Sequence, residues 1–298
     1  MAYQEIATPR FYLNYFDWMF SKDIMPFSEE TLQDSQYNLP YLKEKFRTLP
    51  VRTNIVPPSI KFNQSAMDNY FTGPHEQSFV AILGHDLKAN YHVGENVSGL
   101  NWDLNLNGDI THYGLLAGRE GFSISGFYGP PEEMVFLASG LHANAGSIIF
   151  GKWYDFPHAC EVDVKVDITY DGVKASKTRG GSHLIYKKYL KSHPWGTRGA
   201  WELGGGEDKM LSKGGRRIWH LTFSYIDGRD LFPKYSTTNV FEFKTDWYSN
   251  VDELYHQDTL IQSTDFFSMV MQRTNGGQLP FIFQPDISNN NPDGFTIC

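Results

Sequence analysis

Residues 146–156 read GSIIFGKWYDF, a run of branched and aromatic side chains that ends just before Pro157. Ile, Phe, Trp and Tyr suit a pleated, half-buried surface, so the run predicts a strand. Similar short runs lie around it: SFVAILGHDL (78–87), GFSISGFYG (121–129), MVFLAS (134–139) and CEVDVKVDITYDG (160–172). They recur at roughly ten-residue spacing with glycine or proline between them, the pattern of a β-sandwich or jelly roll. LNWDLNLNGDITHYGLL (100–116) alternates Trp102, Leu104 and Leu106 against polar neighbours and turns at Asn107-Gly108, a hairpin signal.

Further along, RRIWHLTFSYIDG (216–228) places Trp219, Leu221, Phe223 and Tyr225 on one side of an extended segment, and four large apolar groups on one face call for burial. LPFIFQ (279–284) reads as a closing strand, with Phe281 and Phe283 to one side and Ile282 to the other. The glycine cluster GGGEDKMLSKGG before residue 216 reads as a hairpin loop or tip.

The first 50 residues differ. In RFYLNYFDWMF (10–20), Phe11, Tyr15 and Trp18, with Tyr12, Phe16 and Met19, recur at steps of three and four, an apolar stripe of helical period. Pro26, Pro40 and Pro50 divide the remainder of this region into short pieces, one of them starting at Ser28. The expected architecture is therefore mainly β. A helical or extended arm (1–50) precedes a jelly-roll-like sandwich (51–160) and a second β-rich domain (161–298), which holds one helix near 258–273. Deleting the arm is expected to abolish assembly and leave a soluble β-rich body.

Composition narrows the function. The 298 residues carry 26 Lys+Arg against 34 Asp+Glu, net charge −8, with no basic domain to neutralise phosphates, which argues against nucleic acid as the main partner. No apolar run approaches the ~20 residues of a membrane span. Two cysteines, Cys160 and Cys298, make no disulfide framework or zinc site. Aromatic residues, at 15%, are the outstanding feature.

Motif matches fail on chemistry. Residues 146–152 fit the G-x-x-x-x-G-K spacing of a phosphate loop, but Trp153 stands where a Mg²⁺-binding Ser or Thr belongs, and the middle is branched and apolar. Asp103, Asn105 and Asn107 imitate the start of a calcium loop, yet Gly114 occupies the place of its bidentate Glu. No H-E-x-x-H pair or G-x-S-x-G elbow occurs. No catalytic residue, metal or cofactor is assigned.

Three segments taken in order, FVAILGHDL, then IIFGKWYDFPH with the SKTRGG turn, then RRIWHLTFSYIDG with RTNGGQLPFIFQPD, carry a family likeness over residues 75 to 295. In that order the chain resembles structural tail proteins of tailed bacteriophages, particularly marine ones, in which a discoidin-like or galactose-binding-like jelly roll precedes a second β-domain. TPRFYLNYFDWM at the start is similar to openings of marine phage proteins. The resemblance implies a non-enzymatic virion component made in the host cytoplasm. It would be present in several copies in a tail, adaptor or fibre base, with further copies and neighbouring virion proteins as partners. It assigns no ligand residues. A carbohydrate-binding host-recognition protein, or a glycan-cleaving enzyme, is the alternative. Phe11, Tyr15, Trp18, Trp153, Tyr154 and Trp195 are the candidate interface residues.

Overall fold

A computed structural model describes residues 7–33, 39–48, 54–55, 59–83, 91–95, 115–119, 122–131, 133–138, 144–161, 165–169, 173–187, 216–233, 263–290 and 294–298. In chain order the strands are β1 (Arg10–Asn14), β2 (Asn54–Ile55), β3 (Ser59–Lys61), β4 (Ser78–Leu83), β5 (Tyr91–Glu95), β6 (Leu115–Arg119), β7 (Phe122–Phe127) and β8 (Glu133–Ala138). They continue with β9 (Asn144–Ala145), β10 (Ser147–Asp155), β11 (Lys165–Thr169), β12 (Val173–Lys177), β13 (His183–Lys187), β14 (Arg216–His220), β15 (Ile282–Gln284) and β16 (Thr296–Ile297). The helices are α1 (Tyr15–Ser21), α2 (Glu29–Gln33), α3 (Leu39–Lys45), α4 (Gln64–Tyr70) and α5 (Gly228–Leu231). The fold is mainly β and antiparallel.

The central element is a seven-stranded sheet in the order β16-β15-β1-β10-β4-β7-β6. Its longest strand, β10, pairs with β1 on one side and β4 on the other. Both faces are buried. Ile148, Phe150 and Tyr154 of β10 join Leu13, Val80 and Ile82 in one cluster, while Ile149 joins Tyr12, Phe79, Leu83, Phe122 and Ile282 in the other. That two-sided burial explains why β4 reads SFVAIL without polar alternation, all six of its residues being buried. Smaller sheets pair β11 with β14, β12 with β13, β2 with β9, and β3 with β8 and β5.

Residues 10–21 are joined to the main sheet. β1 lies inside the main sheet, between β10 and β15, and α1 follows it directly. The helical stripe is in fact a strand of residues 10–14 joined to a helix of residues 15–21, because Asn14 caps the helix. Its side chain accepts from the backbone N–H of Phe16 and Asp17, both at 3.1 Å, and its Nδ2 donates to Phe46 O and Thr48 Oγ1. The same sheet takes strands from before residue 50, from 51–160 and from beyond 280. The helix expected near 258–273 is, where described, a π-helix of Phe267–Met271, with the Asp265 carboxylate accepting from Ser268 N at 2.9 Å.

The packed face beneath α1 is aromatic. Phe16 stacks on Phe46 and Phe150, with centroids 5.5 and 5.3 Å away, and meets Phe27 and Phe62 edge-on. Tilted and edge-on pairs of this kind add about 0.5–1.5 kcal/mol beyond burial.

Candidate functional site

The candidate interface residues mostly face the chain's own interior. Tyr15 is fully buried, its hydroxyl donating to Thr72 O at 3.4 Å, and desolvation raises its pKa. Trp18 is buried beneath the Arg273 guanidinium, which lies 3.9 Å from its ring centroid and 4.5 Å from that of Tyr15. Phe11 is half-buried among Phe156, Phe266, Phe281 and Phe283. Tyr154 is buried and donates to Asp230 O at 3.2 Å. Trp153 is half-buried, with Arg10 4.7 Å over its ring, and Arg10 is itself held by the Asp155 carboxylate. Trp195 lies outside the described residues. Tyr15 and Trp18 are thus buried on α1, and Tyr154 on β10, against the chain's own core.

The phosphate-loop match is strand as well. Residues 147–155 are β10, and the Lys152 ammonium donates to Pro74 O at 2.8 Å and Ser78 Oγ at 3.1 Å, with its side chain fully buried. Lys45 is equally enclosed and donates to Ala145 O. Burial pulls both lysines down to about 8, because desolvation penalises the ammonium.

The consequence for stability has a definite sign. Between about pH 8 and 10.5 the unfolded chain keeps lysine protons that the folded chain has shed, so these two groups make stability rise with pH across that window. Tyr12, pushed up to about 12 by desolvation, acts oppositely above pH 10. Urea midpoints are expected to climb from pH 7.5 to 9.5, and Lys152→Met is expected to flatten the climb, a change on the order of 1–3 kcal/mol. A midpoint that falls steadily across that range would contradict the burial of Lys152.

The exposed apolar groups come from elsewhere. Tyr225 is 94% exposed, Tyr128 68%, Phe232 51% and Ile218 39%. Three of these lie in 218–232, and of them only Tyr225 belongs to the face of 216–228 expected in the core. There β14 ends at His220, and only part of the expected face turns inward: Phe223 stacks on Phe156 at 4.1 Å and Trp219 meets Phe283 edge-on. Tyr225 has φ +71°, a left-handed conformation unfavourable for a bulky side chain, and this turns it away from the core. Alternation alone could not reveal that reversal.

Among the described residues no cluster of three His, Cys, Asp or Glu could hold a metal. The polar pair closest to acid–base geometry, His220 Nε2 with Asp167 Oδ2 at 3.1 Å, is exposed and shares its carboxylate with Lys165. No helix among the described residues is long and apolar enough to cross a membrane. Comparison with protein-family models, curated proteins and solved structures finds no match.

Proposed function

We propose that this chain is a non-enzymatic structural protein that works through assembly with its own copies and with neighbouring proteins, as a component of a phage virion in its tail, adaptor or fibre base. In this reading the seven-stranded sheet is one layer of a jelly-roll-like sandwich, and further β structure supplies a second body. The observation that carries the reading is the run from Ile218 to Phe232. A well-packed aromatic protein leaves three large apolar groups at the surface there, one of them in a costly backbone conformation, and outliers of that kind gather at sites of recognition.

The test is self-association of the full chain by light scattering. Tyr225→Ser with Phe232→Ser is expected to weaken association at least tenfold with little change in melting temperature, since neither side chain is buried. Unchanged association in that double variant would remove this run from the interface.

One observation favours glycan contact as a second reading. His75 and Tyr128 stack with centroids 5.4 Å apart and ring planes 23° apart, and both are exposed, a platform of the kind on which a sugar ring could lie. A chain that stays monomeric and binds a glycan array, with binding lost in Tyr128→Ala, would support that reading over assembly.

A further inference from the structure

The hairpin of β12 and β13 concentrates positive charge on an acidic protein. Residues 173–187 contain Lys174, Lys177, Arg179 and Lys187 and no Asp or Glu, so removing these four cations from the net −8 leaves −12 on the rest of the chain. Its strands pair with each other in register, Lys177 opposite His183 and Val173 opposite Lys187, and with no other strand among the described residues. Directly opposite residues of an antiparallel pair share a face, so positions 177, 183 and 187 lie along one side of the ribbon.

The tip is ordered. Thr178 N donates to Ser182 O at 2.8 Å, Gly181 N donates to Thr178 O at 2.9 Å, and Ser182 N donates to Thr178 Oγ1 at 3.1 Å. Gly181 supplies the left-handed turn at φ +86°. Lys177, Arg179, Ser182 and His183 are all exposed. A two-stranded ribbon is marginal in isolation, so one that pairs with no further strand among the described residues gains from a surface to lie against.

We propose that this hairpin is an electrostatic docking element whose occupant is the acidic surface of a second copy of this chain. Charge complementarity selects that occupant, because the remainder of an identical chain carries a net charge of −12 against the four cations of the hairpin. A basic ribbon on one copy meeting an acidic surface on the next is a contact between unlike patches. Such contacts propagate into a ring if the rotation closes and into a filament if it does not. The inference rests on the assembly reading and gives it a surface and a partner.

The test is sedimentation velocity of the full chain at 50 and 500 mM salt, with Lys177→Glu/Arg179→Glu beside the wild type and Lys177→Ala/Arg179→Ala as the gentler pair. The wild type is expected to associate at low salt. High salt and the charge reversal should each weaken association at least tenfold, the alanine pair should fall between, and circular dichroism should stay unchanged. Association indifferent to salt and to both variants would overturn the hairpin's role and leave the assembly reading intact. A wild type that is monomeric at both salts would overturn both. A monomer retained on heparin through Lys177 and Arg179 would make a polyanion the occupant and overturn this proposal too.

Discussion

Gly151→Ala is expected to unfold this protein or to cost it several kcal/mol, more than alanine at any other described glycine. A Cβ at residue 151 would stand 1.7 Å from Leu13 O, 2.8 Å from Leu13 C and 3.1 Å from Tyr15 N. These are backbone atoms of β1 and the start of α1, so no side chain can swing aside. β1 would have to separate from β10 at Asn14↔Gly151, where the chain leaves the sheet and enters the helix. Overpacking a core ordinarily costs about 1–3 kcal/mol. Here ladder hydrogen bonds and the Asn14 cap would be strained as well, and the whole margin of a domain is only about 5–15 kcal/mol. Two controls fix the interpretation. At Gly126 the added carbon meets the Trp153 ring at 3.3 Å, a side chain able to shift, and a smaller loss is expected; at Gly180 nothing lies within 4 Å, and Gly180→Ala should stay within about 0.5 kcal/mol of the parent. Chemical denaturation of the three variants measures the order.

Removing residues 1–14 is expected to give an insoluble or molten product, not the soluble β-rich body that a detachable arm would leave behind. β1 hydrogen-bonds β10 on one side and β15 on the other, so its loss exposes two inner edges at once. Tyr12 and Leu13 are buried on opposite faces of the sheet, and truncating either to alanine alone would cost about 2–5 kcal/mol. The Tyr12 hydroxyl, donating to Gln284 Oε1 at 2.9 Å, and the Thr48 hydroxyl, donating to Pro280 O at 3.3 Å, tie the first strand and helix region to the far end of the chain. Circular dichroism and dye binding of the truncated protein report the outcome.

The strands most visible in sequence are those with punctuation and branched side chains. β4, β7, β10 and β15 fall inside SFVAIL, GFSISGF, GSIIFGKWYD and LPFIFQ, and Ile282 joins one cluster while Phe283 meets Phe11, which packs against the other, as period two requires. β1 was hidden because burial on both faces erases polar alternation. Phe11-Tyr12-Leu13 then runs on into Tyr15, Phe16 and Trp18, and a strand fused to a helix imitates one continuous stripe. The signal that separates them is Asn14, a helix cap followed by Asp17 in the first turn. Pro26 does not set the end of the helix: α1 stops at Ser21, with Asp23 at φ +57° just beyond it. The surface was less legible than the core. Nothing in RRIWHLTFSYIDG shows that Phe223 turns in to Phe156 while Tyr225 turns out, because the reversal lies in one backbone angle. Of the hairpin signal at 100–116 only Leu115 and Leu116 are described, at the start of β6; its Asn107-Gly108 turn and the glycine cluster before residue 216 lie outside the described residues.

The first strand, β1, is interior to the main sheet, paired with β10 on one side and β15 on the other. Amide hydrogen exchange of the intact protein tests it most directly. The backbone amides of β1 are expected to exchange only with global unfolding, as slowly as those of β4 and β10 beside it. Exchange of Tyr12 and Leu13 within seconds, while β4 stays protected, would contradict it.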